Sequence, residues 1–259
     1  MIESESGTTP LVISLPHVGR DLPADIAARM TAVGRAVPDT DWHVEQLYGF
    51  ARGGGAAWLQ PTLSRYVVDL NRPPSDAALY PGQVSTGLCP AQSFAGDDLY
   101  VGPPPDTAEV DRRRALYWQP YHDRLQALVC EAIARHGYAV LLDAHSIQGE
   151  VPRLFEGRLP DVNVGTNDGR ACAPALATAI MEHLGAQSRF SSVLNGRFKG
   201  GYITRHYGAP ERQVHAVQFE LVQAAYMDEV STRYDPARAA PLQRVLRGLI
   251  DVLSSFRPS

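Results

Sequence analysis

Cysteine is scarce: the chain has three, Cys89, Cys130 and Cys172. They are odd in number, far apart and in no CxxC pattern. That argues against a disulfide framework and a thiolate zinc site, and it fits a reducing compartment. A long basic block is also missing. The net charge is -4, with both signs spread along the sequence. Nucleic acid is therefore not an expected partner, although a local cluster of arginines can still hold an anion. No apolar run approaches the roughly 20 residues that span a bilayer. The first six residues are acidic, whereas a signal peptide opens with a positive stretch followed by an apolar one. The expectation is a cytoplasmic protein without a membrane segment.

What is present is core-forming material. A hydrophobic content of 44% over 259 residues suffices for one large domain, read as spanning residues 1–259. Residues 11–15 are a short β-rich run ended by Pro16, the pattern of a strand buried on both faces. Residues 41–51 read as a helix with Val44, Leu47, Tyr48 and Ala51 on one stripe, and Gly53-Gly54-Gly55 stops it. Residues 57–59 and 65–69 read as strands. Residues 73–106 are a long irregular stretch rich in Pro, Gly and Ser, of the kind that is either disordered or functional, for instance a lid. The longest helical pattern covers 110–136, with Gly137 as its C-cap. Residues 138–142, 162–164 and 214–221 read as strands, and 171–184 and 241–256 as helices. Strands alternating with helices predict an α/β fold, a mainly parallel or mixed sheet with helices on both faces.

In such sheets ligands bind beyond the strand ends, and several polar groups fall there. His17 directly follows the first buried strand. Asp143 and His145 follow another and share one side of it by strand alternation. Asp143 suits the carboxylate that takes a metal-bound histidine's second ring proton, or a plain turn residue. Asp39, Thr40 and Asp41 lead into a helix; ordinary capping accounts for one of the two aspartates and leaves the other. Zinc is commonly held by two histidines and one carboxylate with a fourth position open. Asp41 is the chosen carboxylate, with Glu45, one turn later, and Asp39 in reserve. A hydrolase also needs a carboxylate to handle protons. Glu220, among Val217, Phe219 and Leu221, is costly to bury unless it is paired or used.

The stretch from Ser64 to Arg72 is rich in charge. Arg65, Asp69 and Asn71 share one face if the strand continues. An arginine fork binds a carboxylate at two points, and an adjacent Asn adds a neutral donor; an internal Arg65–Asp69 ion pair is the plainer alternative. The Asn71-Arg72-Pro73-Pro74 run suits presentation of Arg72 to a small acid. From Lys199 to Gly208, glycines that permit close backbone approach accompany Arg205 and His206, candidates for a second carboxylate or an oxyanion, or else residues of a surface turn.

Taken in order, "SLPHVGRDLP", "DTDWHVEQLY", "SRYVVDLNRPP…LYP", "DAHSI", "GGYITRHYG" and "VQFELVQAAYMDE" resemble the N-formylglutamate amidohydrolase family, from about Ile13 to about Glu229. The resemblance implies a zinc-dependent hydrolase, related in fold to zinc carboxypeptidases, that converts N-formyl-L-glutamate to formate and glutamate in histidine breakdown. Co²⁺ or Mn²⁺ are the alternative metals. By analogy with zinc carboxypeptidases it implies His17, Asp41 and His145 as metal ligands and Glu220 as the catalytic carboxylate. Asn71 and Arg72 would hold the substrate α-carboxylate. Arg65 or His206 would serve the oxyanion, and Arg205 or another basic group the γ-carboxylate. The implied partner is a small anionic acyl amino acid. Two other readings are an amidohydrolase for a different N-acyl acidic amino acid and a non-catalytic binder of an acidic metabolite.

Overall fold

The computed structural model describes residues 2–77 and 86–258. The strands β1 (Ile2–Glu5), β2 (Leu11–Ser14), β3 (Ala57–Pro61), β4 (Ala139–Ile147), β5 (Val162–Gly165), β6 (Ser192–Leu194) and β7 (Val214–Val222) form one mixed sheet in the order β1-β3-β2-β4-β7-β5-β6. Its centre, β3-β2-β4-β7, is parallel, while β1 and β5 run antiparallel to their neighbours β3 and β7. A separate small pair joins β8 (Met227–Asp228) to β9 (Arg233–Tyr234). The helices are α1 (Ala24–Ala27), α2 (Ala32–Ala36), α3 (Val44–Leu47), α4 (Thr107–Arg113), α5 (Gln119–His136), α6 (Pro174–Gly185), α7 (Tyr202–Tyr207) and α8 (Pro236–Ser255). The expected α/β architecture with a mixed sheet is the one observed.

Strand alternation explains the two layers of helices. Leu11, Ile13, Val140, Leu142, Val217 and Phe219 face one side, where α6 and α8 cover them through Leu176, Ile180, Leu242 and Leu246. Val12, Leu141 and Ala216 face the other side, where α5 brings Tyr121, Leu125, Leu128 and Val129. Each buried leucine contributes about 2 kcal/mol, so α8, which buries Leu242, Leu246, Leu249 and Leu253, is held by packing rather than by propensity. On the α5 side the sheet changes character toward the C-terminal ends of its strands. The next same-side residues are Asp143 and His145 on β4 and their register partners Gln218 and Glu220 on β7.

Several elements differ from the sequence reading. Residues 65–69, expected as a strand, form a turn with no ladder. The Ser64 hydroxyl accepts from Tyr66 N at 3.2 Å, Ser64 O accepts from Val67 N, and the Asp69 carboxylate accepts from Asn71 N at 2.9 Å. Such local bonds compete with sheet pairing. Tyr66 and Val67 are buried instead against Ile26, Met30 and Leu99. The helix expected over 41–51 shrinks to α3 followed by a 3₁₀ turn at Gly49–Ala51. The long helix starts earlier, at Thr107, capped by Asp106, and carries a π-helical turn at Arg114–Trp118. The last helix starts at Pro236, where Asp235 caps Ala237 N and Arg238 N, an N-cap followed by an N1 proline. β4 continues through Ile147, so Asp143 and His145 lie within the strand rather than past it. The short β1 and β6 and the helix α7 were not expected. In the stretch 73–106, Leu88 and Leu99 are fully buried and Gln92 bridges to Asp98. Its lid reading bears partly on residues 78–85, and the motif Leu79-Tyr80-Pro81 wholly so; these lie outside the described residues. Among the described residues, no helix is long and apolar enough to cross a membrane.

Candidate metal centre

His17 follows β2, and its carbonyl accepts the amide of Asp41 at 3.1 Å, which ties two distant segments together. His145 reaches the same point from β4. The three side chains are buried, at 3%, 1% and 3% exposure for His17, Asp41 and His145. One ligand atom from each lies within 4.8 Å of the others. Nδ1 of His145 is 2.9 Å from Asp41 Oδ2, and Nδ1 of His17 is 3.7 Å from the same oxygen. His17 Nδ1 has no hydrogen-bond partner although it is buried.

The far side of each ring is anchored on its own carboxylate. His17 Nε2 is 2.7 Å from Asp69 Oδ1, and His145 Nε2 is 2.8 Å from Asp143 Oδ1. Asp69 in turn accepts from Arg65 at 2.6 Å, and Asp143 from Thr204 and from Asn71. Carboxylate–imidazole pairs of this kind fix the tautomer so that the other nitrogen faces a metal. Two imidazole nitrogens and one carboxylate oxygen are a donor set that suits zinc. The orphaned His17 Nδ1 and the convergence on Asp41 fit that group: the residues can hold a divalent ion.

Charge is balanced tightly here. Burial alone would lower the His145 pKa, but Asp143 and Asp41 outweigh it and hold the ring's pKa well above its usual value. Burial lowers the His17 pKa, and the neighbouring Arg65 adds to that. Glu220 sits beside His145 across the β4–β7 ladder. Burial pushes its carboxyl up to about 8, against the pull of His145 and with help from Asp41. Gln218 donates to Glu220 Oε2 at 3.0 Å and accepts the amide of Gly201 at 2.6 Å, so the carboxyl is fixed in place.

All four side chains open on one cavity. Arg65, Arg72 and Arg197 also line it. Residues 9–227 match the sequence model of the N-formylglutamate amidohydrolase family. The chain belongs to that family.

Within the N-formylglutamate amidohydrolases, relatives match nearly end to end. N-formylglutamate deformylase of Pseudomonas aeruginosa is 47% identical, over 99% of this chain and 97% of its own length. That of Pseudomonas putida is 44% identical, over 99% and 96%. The crystal structure of an N-formylglutamate amidohydrolase from Ralstonia eutropha JMP134 superposes with a TM-score of 0.80 at 26% identity, covering 97% of this chain and 96% of that one. A gene product of Agrobacterium tumefaciens, 19% identical, shares the fold with a TM-score of 0.70 over 96% and 93%.

Of the carboxylates considered for the metal, Asp41 is the one brought to the histidines. Asp39 instead accepts from Tyr66 Oη at 2.6 Å and Phe94 N at 2.7 Å, and Glu45 lies 3.6 Å from Arg20. His17, Asp41, Arg65, Asn71, Arg72, His145 and Glu220 all line the cavity. Both ends of the Asn71 amide are engaged by the protein, however: Nδ2 donates to Asp143 and Oδ1 accepts from Ile203 N. Arg205 and His206 are not brought to the cavity. Arg205 Nε donates to Gly200 O, and His206 stacks on Tyr202, one turn away on α7. Gly201 approaches instead, and a Cβ there would meet the Asn71 amide at 2.4 Å. The sequence reading missed Asp69 as a histidine anchor, Gln218 as the holder of Glu220, and Arg197. Strand alternation marks Gln218, two residues before Glu220; no sequence pattern marks Arg197.

Proposed function

We propose that this chain is a metal-dependent amidohydrolase that cleaves N-formyl-L-glutamate to formate and L-glutamate. The observation that carries the reading is the meeting of a buried His17–Asp41–His145 group with Glu220 in one arginine-lined cavity. The names of the two Pseudomonas relatives supply the substrate. A divalent ion on that group supplies Lewis acidity, polarising a carbonyl and lowering the pKa of water. Zinc is the proposed ion, with Co²⁺ and Mn²⁺ as alternatives.

The residues of the chain then have separate tasks. Glu220 accepts a proton from the water that attacks the formyl carbon, and returns it to the amine nitrogen as the C–N bond breaks. Its raised pKa keeps the carboxyl near the proton-transfer range, and Gln218 holds its position. Arg65 is buried, with its Nε unpartnered, and is assigned to the oxygen that gains charge as the carbon becomes tetrahedral. Arg72 takes the α-carboxylate, with Asn71 beside it holding α7 against β4. Anchoring the acid end converts attack into a positioned, nearly unimolecular event. A single catalytic domain over residues 1–259, a relation to the zinc carboxypeptidases, a cytoplasmic location and a place in histidine breakdown belong to the same proposal.

A chelation experiment tests it. Formate release from N-formyl-L-glutamate is expected to vanish after dialysis against a chelator and to return with Zn²⁺. Faster hydrolysis of N-acetyl- or N-succinyl-L-glutamate than of the formyl compound would contradict the substrate assignment.

A further inference from the structure

The three arginines that line the cavity differ in what holds them. Arg65 is the deepest, 8% exposed, and pairs with Asp69 at 2.6 Å. Arg72 is less buried and lies 4.0 Å from the same carboxylate, within three residues of it in sequence. Arg197 comes from a separate part of the chain, the segment after β6. Its Nε donates to Leu154 O at 3.1 Å, which fixes the plane of the guanidinium, and that group lies 5.3 Å from the Phe198 ring centroid. Around it the cavity wall is apolar, formed by Leu154, Phe198 and Ile147.

Such a wall ending in a cation matches the outer half of a glutamate derivative. The side chain offers two methylenes, which favour an apolar wall, and then a carboxylate. The inner end of the cavity carries the candidate metal group and Glu220, and Arg65 there is already paired with Asp69 at 2.6 Å. Arg197 lines the cavity, whereas Lys199, which pairs with Asp168 at 3.0 Å, and Arg205, which bonds the Gly200 carbonyl, are not part of its lining. A planar guanidinium is also the group best shaped to take a carboxylate at two points.

We propose that Arg197 binds the side-chain carboxylate of the substrate and thereby sets the preference for acidic N-formyl amino acids, while Arg72 takes the α-carboxylate. This rests on the amidohydrolase reading given above. It replaces Arg205 and His206 in that role by a residue that the fold, and not the motif pattern, brings to the cavity.

The test compares N-formyl-L-glutamate with N-formyl-L-norvaline, its nearest neutral relative lacking the carboxylate. In Arg197→Gln the ratio of kcat/KM for the two substrates is expected to fall about 100-fold, the size of a lost charge-assisted two-point contact. Arg197→Lys should recover part of the ratio. Arg72→Gln should lower kcat/KM for both substrates and keep the ratio, because both carry the α-carboxylate. Zinc content and denaturant midpoint identify variants that fail to fold, and Arg197→Lys then carries the test. An unchanged ratio in Arg197→Gln or Arg197→Lys, with the parent protein active on N-formyl-L-glutamate, overturns this inference alone. A parent protein inactive on N-formyl-L-glutamate overturns the amidohydrolase reading and this inference with it.

Discussion

Asp69 sits 2.7 Å from His17 and 2.6 Å from Arg65, so one buried carboxylate orients a candidate metal ligand and neutralises a cavity cation. Burial would raise its pKa, but Arg65 and His17 hold it well below the usual carboxylate range. Its charge therefore persists across the neutral range. Asp69→Asn is expected to weaken zinc binding by about 10–100-fold in a chelator-competition titration. It should also lower unfolding free energy by about 3 kcal/mol, because Arg65 is left buried without its counter-charge. Wild-type zinc affinity in this variant would remove Asp69 from the site. Glu220→Gln separates chemistry from metal binding: turnover should drop about 1,000-fold with zinc content preserved, and near-normal turnover would contradict the proton role. At this scale, His17, His145 and Glu220 stood out in the sequence because each is a polar residue at or near the end of an apolar run, and Asp41 because capping of the following helix accounts for only one of Asp39 and Asp41. Asp69 was visible only as half of an ion pair. Arg197 was invisible, since the fold alone brings its segment to the cavity.

The element that joins core to site is α5. Its His122 is 4% exposed and sits between Leu70 O, 2.9 Å from Nε2, and Tyr207 Oη, 3.0 Å from Nδ1. It also stacks on Trp118 at 3.8 Å, so it ties α5 to α7 and to the turn that carries Arg72. Burial depresses its pKa to about 4 from 6.5. The unfolded chain therefore takes up this proton first as pH falls. Stability is at its full value above about 6.5 and is lost between roughly 6.5 and 4, by up to about 3 kcal/mol. Denaturant unfolding at pH 7 and pH 4.5 should show this loss in the parent protein and a smaller one in His122→Gln. Equal losses in both would contradict it. Long periodic elements such as α5, α6 and β7 were legible from their apolar spacing. The turn at 65–69 was not, because side-chain and backbone bonds within that segment and to His17 override a β-rich composition. The short α7 was hidden for a related reason: it depends on Asn71 and Gln218 receiving its first amides, and both contacts are distant in sequence.

For the whole molecule, the sheet positions two of the candidate ligands, His17 and His145, and the chain between them supplies the third, Asp41. Residues 17, 41 and 145 meet only when β2, β4 and the segment after α2 are all in place. The unfolded chain lacks that constellation, so an ion that binds the folded protein stabilises it. Zinc at about 100 times its Kd should raise unfolding free energy by about 2.7 kcal/mol, read as a rise in Tm on adding Zn²⁺ to chelator-treated protein. No rise in Tm would mean that the group does not bind zinc tightly. The α/β class and the mixed sheet were readable from the alternation of strand and helix patterns. The order β1-β3-β2-β4-β7-β5-β6 was not, since strand neighbours are set by packing of the helices and not by any local signal.

The central claim is that His17, Asp41 and His145 grip one ion. Anomalous diffraction at the zinc edge, from crystals of zinc-loaded active protein, addresses it directly. A single strong peak is expected within bonding distance, about 2.1 Å, of His17 Nδ1, His145 Nδ1 and an Asp41 carboxylate oxygen. A peak on any other set of side chains, or none at this group in active crystals, would contradict it.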